Sequence, residues 1–427
     1  MQLRLIPLVF LVLTIQALAG QVPGGAQRPD ISISHRDRFY TADQFSNTVS
    51  VVDPADNKLL GLIKLGDPAP GNLSPLYRGQ LLVHGMGFSP DHRTLAVVSI
   101  GSNSVTFIDT STNTVKHVTY VGRSPHEAFF TPNGQEVWIS VRGENYVSVL
   151  DGKTFKEKLR ITVPNGPGMT IFSPDGKYGY VCSSFSPETV VVSTARHQVV
   201  GRVKQESPFC PDISATPDGK QVWFTLKDVG KTTVFNGVPP FNVLKVLDTG
   251  PITNHVNIVR NERGQFAYVS VGGLNVVKVF RTDDFTQVTE IPTGDLPHGL
   301  WPSGDGKRVY VGIENADAAA AIDTLENKVV AVIPLGQAPQ GWLTSQTPCQ
   351  AERAAPTFNH SSPLDRRSKS FSGEQTGDPQ RVSRFLTKAS CKFCRLLRPD
   401  SNPRSLTCLR WLKTRTAPER CNRSPHL

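Results

Sequence analysis

Four histidines recur at one position of a repeating pattern. Counting four residues back from Phe88 gives His84, and the matching positions in later repeats are His126, Gly168, Pro211, His255, His298 and Gln340. Imidazoles delivered to one place by separate segments bind transition metals, because each offers a neutral nitrogen lone pair. The pattern therefore predicts a metal set of His84, His126, His255 and His298. A structural role competes with it. Pro125-His126 and Pro297-His298 also suit imidazole tips that hydrogen-bond the next repeat and set its spacing. Gly168 and Pro211 carry no ligand and leave one side of such a ring open.

Other chemistry is harder to find. The chain has no Gly-rich phosphate loop, no Gly-x-Ser-x-Gly elbow and no His-Glu-x-x-His. Asp53, Asp109, Asp151 and Asp323 repeat at equivalent strand ends, which marks them as turn caps rather than a catalytic pair.

These residues need elements to place them, and the repeat supplies those. In the stretch from His126 to Pro167, one strand runs into the turn Thr131-Pro-Asn-Gly134. The β-rich runs Val137 to Val141, Tyr146 to Asp151 and Leu159 to Val163 follow, each closed by turn residues. The third strands are expected to end at Asp53, Asp109, Asp151, Ser193, Asn236, Arg281 and Asp323, a spacing of 42 to 45 after a first interval of 56. A period near 42 with four strands per unit predicts an all-β, seven-bladed β-propeller of four-stranded antiparallel blades. In such a meander, the loops from strand two to three and from strand four onward share the face where strand one begins. That face, a channel mouth, should carry Arg142, Lys227 and Glu314. It should also carry an insertion, since Leu65 to His84 spans 19 positions where Val121 to His126 spans 5. The insertion includes Asn72, Tyr77 and Arg78, and long loops at a scaffold's mouth often bind ligands. The expected ligand-binding set is Tyr77, Arg78, Arg142, Lys227 and Glu314.

The order of Tyr-Val-x-Ser (Tyr180 to Ser183), a Val-x-Val run ending on Asp (Val147 to Asp151) and Ser-Pro-Asp-Gly (Ser173 to Gly176) resembles the YVTN β-propeller repeat family. The likeness runs from about Arg38 to Gln340. It implies a fold shared with the propellers of nitrous-oxide reductase and the d1-haem nitrite reductases, which hold copper or haem near the axis. It implies little about activity, because propellers host many.

Both ends lie outside the repeat. Arg4, an apolar run from Leu5 to Ile15 and Ala17-Leu-Ala19 read as an export signal covering residues 1–19, with residues 20–37 as a linker. The propeller is expected over 38–341 and a disordered basic tail over 342–427. The net charge of +10 belongs to that tail, which holds 16 Lys/Arg and 6 Asp/Glu and leaves 30 of each elsewhere. A neutral body argues against nucleic-acid binding. Only Cys182 and Cys210 lie in the body, as a disulfide or as two buried thiols. Cys391-Lys-Phe-Cys394 in the tail has no clear second ligand pair. Blade 1 has no first strand before Arg38, and the repeat signal stops after Gln340, so ring closure is expected to be incomplete. Codons read one base earlier from Trp342 permit Leu-Ala-Tyr-Val-Pro-Asn-Ala-Val-Pro-Ser-Gly, the missing strand and turn. This points to a shifted reading frame over the tail.

The leading expectation is a periplasmic or extracellular binding scaffold for a protein, glycan or small ligand, with no cofactor and no stable membrane insertion. A metal- or haem-dependent redox or hydrolytic propeller using the histidines, or a lactonase-like hydrolase, is the alternative.

Overall fold

The computed structural model describes residues 37–66 and 81–345. The expected signal, the linker up to residue 36, the insertion with Asn72, Tyr77 and Arg78, and the tail from residue 346 lie outside the described residues.

Alternating and β-branched runs, punctuated by tight turns, build seven four-stranded antiparallel sheets. Each sheet is one blade. The third strands end at Asp53, Asp109, Asp151, Ser193, Asn236, Arg281 and Asp323, as the repeat predicts. The innermost strands are Val83–Phe88, Pro125–Phe130, Pro167–Phe172, Ile213–Ala215, Thr253–Asn261, Pro297–Pro302 and Pro339–Ser345. Each packs against the inner strand on either side, so they form an unbroken ring. Among the described residues, no helix is long and apolar enough to cross a membrane.

The expectation of an incomplete ring is overturned. Pro339–Ser345 pairs antiparallel with Arg38–Asp43, with Arg38 opposite Ser345 and Thr41 opposite Trp342, and completes blade 1. The fold therefore runs four residues beyond the expected boundary at 341. The physical reason is that a ladder is made by backbone N–H and C=O groups. Gly341-Trp-Leu-Thr-Ser345 supplies these without the repeat's own motif. The last blade is also pinned to the first by Tyr310, whose hydroxyl donates to the Pro54 carbonyl at 3.3 Å.

Tyr310 belongs to a recurring joint. One aligned position of the second strand holds Tyr40, Trp138, Tyr180, Trp223, Tyr268 or Tyr310 in six blades, all essentially inaccessible. The hydroxyls of Tyr40, Tyr180 and Tyr268 donate to Asn113 Oδ1, the Gly237 carbonyl and Asn327 Oδ1 of the next blade, at 2.9, 2.5 and 2.7 Å. Each ring thus fills the seam between blades and satisfies its polar tip there. Blade 2 has Ala96 instead, and Phe107 stacks on Phe155 of blade 3 at 3.9 Å to fill that seam.

The repeated acids cap turns. Asp151 Oδ1 accepts the Lys153 and Thr154 N–H groups at 3.1 and 2.8 Å, and Asp323 Oδ1 accepts those of Leu325 and Glu326 at 2.9 and 3.0 Å. Cys182 and Cys210 form a disulfide with a Cα separation of 6.0 Å, joining the second strand of blade 4 to the start of blade 5.

Candidate functional site

Six of the seven inner strands open with an irregularity. The ladder to the second strand skips a position at His84, His126, Gly168, His255, His298 and Gln340, the aligned residue of the repeat in six blades. A bulge of this kind breaks strict alternation and re-aims side chains. It turns the aligned residue toward the channel and lets its neighbour face the interior too.

The four imidazoles converge. His84 and His126 lie 4.2 Å apart by ring centroid, His84 and His298 6.5 Å, and His255 and His298 4.9 Å. All are buried, with 6 to 8% of their surface exposed. His126 Nδ1 hydrogen-bonds the Gly168 carbonyl of the next blade at 3.0 Å. His84 and His298 lean toward the carbonyls of His126 and Gln340 in the same way. Their Nδ1 atoms nevertheless make no hydrogen bond. Burial, the largest cause, lowers all four histidines: His84 to about 4, His255 to about 3, and His126 and His298 well below the usual value. The imidazoles are therefore neutral at pH 7.

Two carboxyls share this space, and sequence reasoning missed both. Glu127 and Asp212 occupy the position after the aligned one, where the other blades have Gly85, Met169, Val256, Gly299 and Gly341. Glu127 Oε1 lies 3.6 Å from His84 Nδ1 and 3.7 Å from His126 Nδ1. Asp212 Oδ2 lies 3.6 Å from His255 Nδ1 and accepts the Val256 N–H at 2.8 Å. Burial pushes both carboxyls well above the ordinary range. Glu127 fits only because Gly85 of the preceding blade has no side chain. A Cβ there would lie 2.0 Å from Glu127 Oε2 and 2.3 Å from the His126 carbonyl. The available signal was two acids among uncharged residues at one repeat position.

Arg142, Lys227 and Glu314 also meet at this mouth. Arg142 and Lys227 are half-buried, and each acts electrostatically on the histidines. Burial lowers the pKa of both cations. The Arg142 guanidinium lies 5.3 Å from the ring centres of Phe185 and of Phe209, and Lys227 lies 6.0 Å from Phe209. Arg142 Nε is buried without a hydrogen-bond partner. Among the described residues neither cation is in an ion pair, and Glu314 is the acid that acts on Lys227.

A ring of seven inner strands, six of them bulged, around a shared mouth is matched by one protein family over residues 26–349, the YNCE-like beta-propellers. The chain belongs to that family. Antigen Lp49 of Leptospira interrogans is 24% identical over 190 residues, which cover 43% of this chain and 41% of that antigen. This YNCE-like propeller thus spans under half the length of the curated relative it matches. Among solved structures, Kuenenia stuttgartiensis hydrazine synthase is similar with a TM-score of 0.58 and 20% identity, covering 71% of this chain and 96% of that one. A functionally unknown protein from Desulfotomaculum acetoxidans is similar with a TM-score of 0.60 and 16% identity, covering 72% and 98%. The dihydro-haem d1 dehydrogenase NirN, solved in complex with DHE, gives a TM-score of 0.53 and 14% identity, covering 74% and 68%. At these identities the likeness shows the fold alone.

Proposed function

We propose that this YNCE-like propeller is an exported binding protein that holds a small anionic ligand at its channel mouth. The observation that carries this reading is the pairing of Arg142 and Lys227. They are two half-buried cations beside the aromatic faces of Phe185 and Phe209, and Arg142 has a buried donor that no protein group satisfies. Burying guanidinium and ammonium groups without a carboxylate partner costs free energy that an anion recovers through charge-assisted hydrogen bonds. The phenylalanines suit a ligand with an apolar body behind its carboxylate or phosphate. Export is supported by the signal-like start and by the Cys182–Cys210 disulfide, a bond that persists in oxidising compartments.

A thermal-shift screen of small carboxylates and phosphates against chelator-treated protein tests the ligand class. A true ligand at about 100 times its Kd adds roughly 2.7 kcal/mol of stability. The response should vanish in an Arg142→Met, Lys227→Met double variant. Absence of any responsive anion, or a response that survives the double variant, sinks the reading. Export is tested by mass spectrometry of the mature N-terminus, expected at Gly20.

A further inference from the structure

We propose that His84, His126 and Glu127 form a binding site for a first-row transition dication, with zinc as the first choice. One ligand atom from each of these three buried residues lies within 4.8 Å of the others. Around a tetrahedral zinc, bonds of about 2.1 Å would place ligand atoms roughly 3.4 Å apart, a contraction that side-chain rotation covers. Two imidazoles and one carboxylate form a donor set that zinc accepts while keeping a fourth position open. Hard magnesium and calcium prefer oxygen ligands and match it poorly.

Three independent features favour these residues over the full histidine ring. His126 is oriented by its Nδ1 contact to the Gly168 carbonyl, which leaves its other nitrogen for a metal. His84 Nδ1 is buried and makes no hydrogen bond beside Glu127, so its lone pair is available to a metal. Glu127 is accommodated against the backbone of Gly85, so the blade 2–3 seam is shaped around a carboxylate. His298 stands 6.5 Å from His84 by ring centroid and has no carboxylate partner among the described residues.

Arg142 and Lys227 oppose a bare dication here. Their charge favours a metal whose open position carries an anion. The metal site stands on side chains other than those cations and does not require the ligand reading above.

The test uses the full chain, stripped with chelator and titrated with Zn²⁺ by calorimetry and with Co²⁺ by visible absorption. One equivalent of Zn²⁺ and a Co²⁺ band of low coordination number are expected. Glu127→Gln and His126→Ala should each weaken Zn²⁺ binding by about 10-fold or more. His298→Ala should leave it near the wild-type value. Circular dichroism confirms folding, and if His126→Ala fails to fold, the near-isosteric Glu127→Gln and His84→Gln decide. No Zn²⁺ heat and no Co²⁺ band overturns the proposal, as does binding undiminished in the Glu127 and His126 variants. The anion screen is run metal-free on the Arg142 and Lys227 variants, so either reading fails separately.

Discussion

Acidic side chains do opposite work at two levels of the same blades. At the outer turns, Asp109, Asp151 and Asp323 sit near water, and hydrogen bonds from turn N–H and hydroxyl groups hold their pKa values below the ordinary range. At the channel mouth, Glu127 and Asp212 are buried with few donors, and desolvation pushes them upward. The difference teaches that the repeat position, not the residue type, sets the direction in which an acid's pKa moves. A turn acid is stabilised as an anion, whereas burial disfavours the anion of a mouth acid.

The largest expected effect comes from removing what holds the mouth in shape. Replacing Cys182 and Cys210 together by Ser should cost about 3.5 kcal/mol, from release of the 28-residue loop in the unfolded chain. Urea unfolding under non-reducing conditions measures it. Next comes Gly85→Val, which drives a side chain into Glu127 and the His126 carbonyl and should cost about 3 kcal/mol. The matched change Gly61→Val, on an outer strand with nothing within 4 Å, should be close to neutral. Equal costs at the two glycines would break the comparison.

Truncating the acids sharpens it further. Asp212→Ala leaves the buried Val256 N–H without its acceptor and should cost about 2 kcal/mol. Asp323→Ala loses turn hydrogen bonds that water replaces, and should cost about 1 kcal/mol.

The pH dependence should have opposite signs at the two levels. Asp212 faces His255 and feels Glu127, and its folded pKa lies above the unfolded value of 3.8. Its contribution is complete below that value and is lost as pH rises through the folded pKa. Asp212→Asn should therefore gain on the wild type as pH rises from 4 to 8, on a scale set by about 1.4 kcal/mol per pKa unit of difference. Asp323 has a depressed folded pKa, so its contribution is present above 3.8 and lost as pH falls. Asp323→Asn should accordingly lose ground to the wild type from pH 2.5 to 5. Parallel urea midpoints for both variants check the signs.

Much of the fold was legible because it repeats. Each third strand ends where the spacing placed it, and the aligned histidines do share one mouth with Arg142, Lys227 and Glu314. Glu127 and Asp212 escaped because strict strand alternation turns them away from the histidine side. A bulge, invisible in composition, brings Glu127 round, and Asp212 lies just before its strand, where alternation does not apply. The closing strand escaped for a different reason. A ladder reads backbone groups, so Pro339–Ser345 pairs without carrying the motif by which the other inner strands were recognised.

The sequence by itself determined the number of blades, the four strands in each and the turn acids. All of these follow from local periodicity and turn chemistry within one repeat. Tertiary structure alone decided that the ring closes, that Cys182 meets Cys210, and that a carboxyl from one blade lies between the imidazoles of two. Those outcomes depend on distances between segments remote in the chain, which packing fixes and a single repeat does not encode.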